Sequence, residues 1–145
     1  DKELFQIISN AAIRMLPLFE SRHFANLAYA FALAGENPEK VGEDNGSTTA
    51  ATLYDEISNE AIISTFDSQN MANIVWAYAK MEHYNSTAFV DTVAKEAIPR
   101  LKEFTPQQLA NLAWAYSKFP SSSLEHQHDD IFDHIAIEVG RRGGL

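Results

Sequence analysis

A fourteen-residue phrase occurs three times in this chain, and no other feature constrains the fold as much. It reads Phe-Glu-Ser-Arg-His-Phe-Ala-Asn-Leu-Ala-Tyr-Ala-Phe-Ala from Phe19 to Ala32 and Phe-Asp-Ser-Gln-Asn-Met-Ala-Asn-Ile-Val-Trp-Ala-Tyr-Ala from Phe66 to Ala79. The third copy, from Phe104 to Ser117, is Phe-Thr-Pro-Gln-Gln-Leu-Ala-Asn-Leu-Ala-Trp-Ala-Tyr-Ser. The opening Phe recurs after 47 residues and then after 38. Self-similarity with a period of roughly 20 to 50 residues marks a solenoid, in which each unit buries its apolar face only against its neighbours.

Each phrase reads as the second helix of a hairpin and opens with helix-start chemistry. In the third copy Thr105 is the expected N-cap, Pro106 fits the first helical position, and Gln108 completes a capping box. Phe104 with Leu109, Phe66 with Met71 and Phe19 with Phe24 have the spacing of a hydrophobic staple. Upstream of each phrase lies a helical apolar pattern: Leu4, Phe5, Ile8, Ala12 and Ile13; Leu53, Tyr54, Ile57, Ala61 and Ile62; and Phe89, Val90, Val93, Ala97, Ile98 and Leu101. Ile131, Phe132, Ile135 and Val139 fit the same template and then stop. Pro99 predicts a bend in the third of these first helices.

The expectation is an all-α fold, an α-α superhelix (solenoid) of about three hairpins plus a truncated fourth. Its parts are repeat 1 (residues 1–35), an inserted loop (36–50), repeat 2 (51–84), repeat 3 (85–123), and the first helix of a partial repeat 4 with its tail (124–145). Gly, Pro, Asn, Asp and Glu mark the insertion from Gly35 to Thr49 as a loop, and Pro120 to Ser123 as a second one. The tail after Val139 is expected to fray. The chain begins at Asp1 and ends in Arg-Arg-Gly-Gly-Leu, and it reads as a piece of something longer.

Wheel positions assign Leu109, Leu112, Ala113 and Tyr116 to one packing stripe, and Ala110, Trp114 and Ser117 to an adjacent one. Tyr29, Trp76 and Trp114 are equivalent and read as aromatics buried between repeats. A polar stripe remains: Gln107, Gln108, Asn111, Ala115 and Lys118, with Gln69, Asn70, Asn73, Ala77 and Lys80 in the second copy. In the first copy it is Arg22, His23, Asn26, Ala30 and Leu33. Asn26, Asn73 and Asn111 never change, so they are expected to serve structure through hydrogen bonds to neighbouring backbone. Recognition is expected at positions that vary.

Composition narrows the functional classes. No apolar run reaches the roughly 18 to 20 residues of a membrane span. With no cysteine, thiol nucleophiles, disulfides and Cys-based zinc sites are excluded. No phosphate-binding glycine loop, HExxH motif or nucleophile elbow occurs. The cluster His126, His128, Asp129, Asp130, Asp133 and His134 reads as surface charge at a helix N-terminus. No enzyme activity, cofactor or small-molecule substrate is expected. The net charge of −9 opposes the basic footprint of a nucleic-acid binder, and only residues 85–123 are net positive, by +1.

The third phrase, extended to Phe-Thr-Pro-Gln-Gln-Leu-Ala-Asn-Leu-Ala-Trp-Ala-Tyr-Ser-Lys-Phe, closely resembles the second helix of the octotricopeptide repeat. That repeat is related to the heptatricopeptide repeats of RAP-domain and FAST-kinase-like proteins. The match is strong in repeats two and three and looser in repeat one, where Tyr29 replaces Trp and Leu33 replaces Lys. The resemblance implies an α-solenoid that binds single-stranded RNA in a chloroplast or mitochondrion and governs RNA maturation, stability or translation. Candidate RNA-binding residues are Arg22, His23, Gln69, Asn70, Gln107 and Gln108, with Lys80, Lys118, Lys95 and Arg100 as a possible basic strip. The rival expectation is an acidic solenoid scaffold for protein partners.

Overall fold

The computed structural model describes residues 2–35, 49–120 and 127–143. Among them are seven α-helices and no strand: α1 (Lys2–Met15), α2 (Ser21–Ala34), α3 (Thr49–Glu60), α4 (Ser68–Lys80), α5 (Thr87–Ala97), α6 (Pro106–Lys118) and α7 (Gln127–Arg141). None of them is long and apolar enough to cross a membrane. The helices form successive hairpins, α1/α2, α3/α4 and α5/α6, with α7 standing as the first helix of a fourth. This is an all-α stack of helical repeats.

Every hairpin turns in the same way. The first helix ends in a short 3-10 segment, Leu16–Leu18, Ile63–Thr65 or Ile98–Glu103. The phrase-opening Phe follows, and its N–H closes on the carbonyl three residues back, at 3.0 Å for Phe19, 2.9 Å for Phe66 and 3.1 Å for Phe104. The second helix is then capped. Asp67 Oδ1 accepts the Asn70 N–H at 2.7 Å, and Thr105 and Gln108 form the expected reciprocal box at 3.1 and 3.0 Å. The Phe19 and Phe24 rings meet edge-on at 5.5 Å as a staple, while Phe66, Met71, Phe104 and Leu109 are buried.

Pro99 does not bend an intact helix. The α-helix stops at Ala97 and the chain tightens into the 3-10 segment, with Pro99 in its first turn, where a missing N–H breaks no bond. In repeat two the helix ends at Glu60, so the expected helical residue Ile62 lies outside it and is exposed. At the other end α3 starts at Thr49, inside the expected loop; residues 36–48 of that loop, and residues 121–123 of the second one, lie outside the described residues.

Packing divides the stack into two layers. The second helices pack side by side, α2 on α4 and α4 on α6, more extensively than any other helix pairs. Alanines permit the close approach: Ala25, Ala28, Ala72, Ala77 and Ala115 are completely buried. In the other layer α1 packs on α3 and α5 on α7, but α5 meets the Ile63–Thr65 turn rather than lying along α3.

Buried phenols tie the layers together. Tyr78 Oη donates to the Tyr54 carbonyl and Tyr116 Oη to the Val90 carbonyl, each at 2.7 Å. In repeat one the equivalent residue is Phe31, which has no hydroxyl and packs edge-on against Phe5 at 5.4 Å. Tyr54 reaches back instead, donating to the Ala28 carbonyl at 2.7 Å. Burial pushes all three phenols well above their ordinary pKa, so they remain neutral donors.

The end of the chain departs from the expected fraying. Helix α7 runs to Arg141, and Arg141 and Arg142 are both held by Glu138, whose Oε1 lies 2.6 Å from Arg141 Nη2 and 2.8 Å from Arg142 Nε. Arg142 then spans to repeat three, donating to the Phe104 carbonyl at 2.8 Å.

Candidate nucleic-acid interface

Burial along the second helices shows which side of each helix faces what. Counting from the opening Phe, positions 5 and 12 are buried against the first helix in all three copies. Positions 6, 9 and 13 are buried in α2 and α4, where another repeat follows, yet open or half-open in α6 as Ala110, Ala113 and Ser117. Positions 8 and 11 are buried in α4 and α6, where a repeat precedes them. The positions left facing solvent are 3, 7, 10 and 14, which fall within about 60° of each other on a helical wheel.

The exposed stripe therefore runs through Arg22, Asn26, Tyr29 and Leu33, then Gln69, Asn73, Trp76 and Lys80, then Gln107, Asn111, Trp114 and Lys118. It is rotated from the stripe expected on sequence grounds. Ala77 and Ala115, expected on it, are fully buried, whereas Trp114, expected in the core, is 39% exposed. Tyr29 and Trp76 are half-buried.

The candidates at position 4 are taken up by structure. His23 Nδ1 accepts the Glu20 N–H at 3.0 Å, Asn70 is buried and donates to Ser21 Oγ at 3.3 Å, and Gln108 belongs to its capping box. Their neighbours at position 3 stay on the surface, Arg22 with an ion pair to Glu20 at 3.5 Å. Lys80 and Lys118 extend the exposed set. Lys95 is exposed in the other layer, on α5, and Arg100 is drawn to the Phe66 carbonyl at 2.7 Å. The structure thus gathers Arg22, Gln69, Lys80, Gln107 and Lys118 and leaves the other five candidates apart from them.

Sequence reasoning placed the asparagines on the polar stripe and the aromatics between repeats, but expected backbone hydrogen bonds for the first and full burial for the second. The Asn26, Asn73 and Asn111 side chains form no hydrogen bond among the described residues; Asn26 is exposed, and Asn73 and Asn111 are half-buried along the stripe. The aromatics form a ladder across the repeats: Tyr29 to Trp76 at 5.2 Å and Trp76 to Trp114 at 6.2 Å between ring centroids. Lys118 Nζ closes its end, 5.5 Å from the Trp114 ring, in cation–π range. A clue to the ladder was present in the sequence, since an aromatic at one fixed place in each copy stacks on its counterparts when repeats stack.

Charge is unevenly divided between the layers. Helices α2, α4 and α6 contain Arg22, Lys80 and Lys118 and not one Asp or Glu. All 20 acidic residues lie elsewhere, Glu20 and Asp67 bordering this layer as caps. The bodies of the second helices thus carry three cations and no carboxylate on an acidic molecule.

Other titratable groups do not build a second site of this kind. Asp130, Asp133 and His134 lie exposed on α7, while the rest of the expected His/Asp cluster lies outside the described side chains. No group of acidic and histidine residues suited to a metal ion occurs among the described residues. His83 is buried between the Tyr54 and Tyr78 rings, with Nε2 3.0 Å from both Asp55 Oδ1 and Ser86 Oγ.

Fold and surface together define a helical-hairpin repeat protein whose second-helix layer carries lysines and an aromatic ladder. No family model, curated protein or solved structure matches the chain.

Proposed function

We propose that this chain binds single-stranded RNA along the exposed stripe of its second helices, as part of a protein of organellar RNA maturation, stability or translation. The observation that carries the reading is the placement of Lys80, Lys118, Arg22, the aromatic ladder and the unbonded carboxamides on one stripe of three helices that contain no Asp or Glu. Phosphates are attracted by the cations, bases stack on exposed aromatic faces, and amide side chains pair with base edges. The ladder rings already touch one another, so bases lie over their exposed faces, Trp114 above all, rather than between them. The octotricopeptide resemblance supplies the organelle. No catalytic step is part of this proposal.

The test is an anisotropy titration of short single-stranded RNA pools at low salt. Three phosphate contacts give a slope of log K against log salt of about −2. Reversing both lysines, Lys80→Glu with Lys118→Glu, removes the salt-sensitive binding, and Trp114→Ala weakens it by about fivefold, the lower end of one base–aromatic stack. Binding that is absent at low salt, or indifferent to both changes, refutes the reading. In that case the acidic first-helix layer, with Asp55, Glu56, Glu60 and Glu96, favours a scaffold for a basic protein partner.

A further inference from the structure

Consecutive hairpins meet at a corner, where the 3-10 turn and Phe of one face the end of the first helix of the next. At the second corner Arg100 Nη1 donates to the Phe66 carbonyl at 2.7 Å, while its Nε is held by Glu103 Oε2 at 3.2 Å. At the third, Arg142 Nη2 donates to the carbonyls of Leu101, Lys102 and Phe104 at 3.1, 3.3 and 2.8 Å, and Glu138 holds its Nε. Both corners are thus filled by a guanidinium braced on a carboxylate. The reason is chemical: a hairpin turn leaves carbonyls pointing outward, and a planar fork of donors satisfies several at once.

The first corner has the acceptors without the donor. Four residues before Phe66, at the place Arg100 occupies before Phe104, stands Ile62, 66% exposed and unable to donate. What remains is an open groove of about 460 Å³ lined by Leu16, Pro17, Phe19, Glu20, Glu60 and Ile62. Leu16, Pro17 and Phe19 are the register counterparts of Leu101, Lys102 and Phe104, the three residues whose carbonyls Arg142 takes. Glu20 and Glu60 supply the carboxylates. No described side chain donates to the Phe19 carbonyl.

We propose that this groove binds the guanidinium of an arginine side chain presented by a basic protein segment, which completes the corner as Arg100 and Arg142 complete the other two. Carbonyl and carboxylate acceptors turn phosphate away, so the ligand is a peptide. A lysine ammonium is a point charge that cannot reproduce the fork. The site lies at the turns and does not depend on RNA binding by the second-helix stripe.

The test follows amide shifts of the isotope-labelled chain during titration with N-acetyl-arginine methylamide and its lysine counterpart. The expected result is saturable movement confined to residues 16–24 and 60–65, with the lysine compound about tenfold weaker, the loss of one charge-assisted hydrogen bond. Ile62→Arg places an internal guanidinium in the groove; it abolishes the response, raises the melting temperature and leaves RNA titrations unchanged. Glu60→Gln weakens the arginine response without filling the groove. No saturable movement, equal response to lysine, or an undiminished response in the Ile62→Arg chain overturns the proposal.

Discussion

In the second-helix layer neighbouring helices meet through alanines, the exposed stripe is free of acid, and the same letters recur in every copy. In the first-helix layer the contacts are less extensive and irregular, the helices end at different points, and carboxylates such as Asp55, Glu56, Asp91 and Glu96 accumulate. Close spacing explains both sets of properties. Where backbones approach closely, a bulkier side chain has nowhere to go, so the sequence repeats; where helices are spread, side chains and charges are free to vary. The largest effect that separates the layers is steric. Ala72→Leu, at a residue with no exposed surface, should overpack the α2/α4 contact and cost about 1–3 kcal/mol. The same change at exposed Ala136 on α7 should stay within about 0.5 kcal/mol. Thermal unfolding of the two variants decides it, since equal losses would mean that the layers are packed alike.

A second comparison is between hairpins, and its expected effect is smaller. Repeats two and three join their layers through Tyr78 and Tyr116, whereas repeat one does so through Phe31. Removing the hydroxyl with Tyr116→Phe should cost about 0.5–1.5 kcal/mol, the net worth of one hydrogen bond. Denaturant unfolding should show an unchanged m-value, because the ring still fills its site. A loss above that range would show that the Val90 carbonyl depends on the phenol for more than one bond's worth of satisfaction.

The turns and second helices were legible in the sequence because their determinants are local. Thr105, Pro106 and Gln108 specify a start within four residues, and Phe19 with Phe24 sets the entry angle. The helical wheel, in contrast, was read about one position off, because it sorted residues by polarity. Trp114 looks like core and Ala115 like surface until stacking puts the alanine in the narrow space between close helices and the ring at its edge. The candidate surface was partly legible for the same reason: Lys80, Lys118, Gln69 and Gln107 were identified, while the aromatics between them were assigned to the interior. The corner arginines were hidden altogether. Arg100 read as a ligand contact and Arg142 as fraying tail, since their partners lie 34 and 38 residues away.

That misread tail sharpens the contrast between a locally specified turn and one fixed at long range, and it carries the smallest predicted effect. Hydrogen bonds from Arg141 and Arg142 hold the Glu138 carboxyl down at about 2, against about 4.3 for an ordinary glutamate. A folded-state pKa below the unfolded one contributes stability that is fully present above about pH 4.3 and is lost as pH falls toward 2. Arg141 is 62% exposed, so solvent screens much of that pairing, while Arg142 is 20% exposed and carries the contact to the turn. Melting temperatures of the chain and of Glu138→Gln, measured from neutral pH downward, should differ by a constant amount to about pH 5. The gap should then narrow steadily, because below the folded pKa both chains bear an uncharged side chain at this place. A gap that stays constant to pH 2.5 would show that Glu138 does not position Arg142, and that the Phe104 corner closes without its carboxylate.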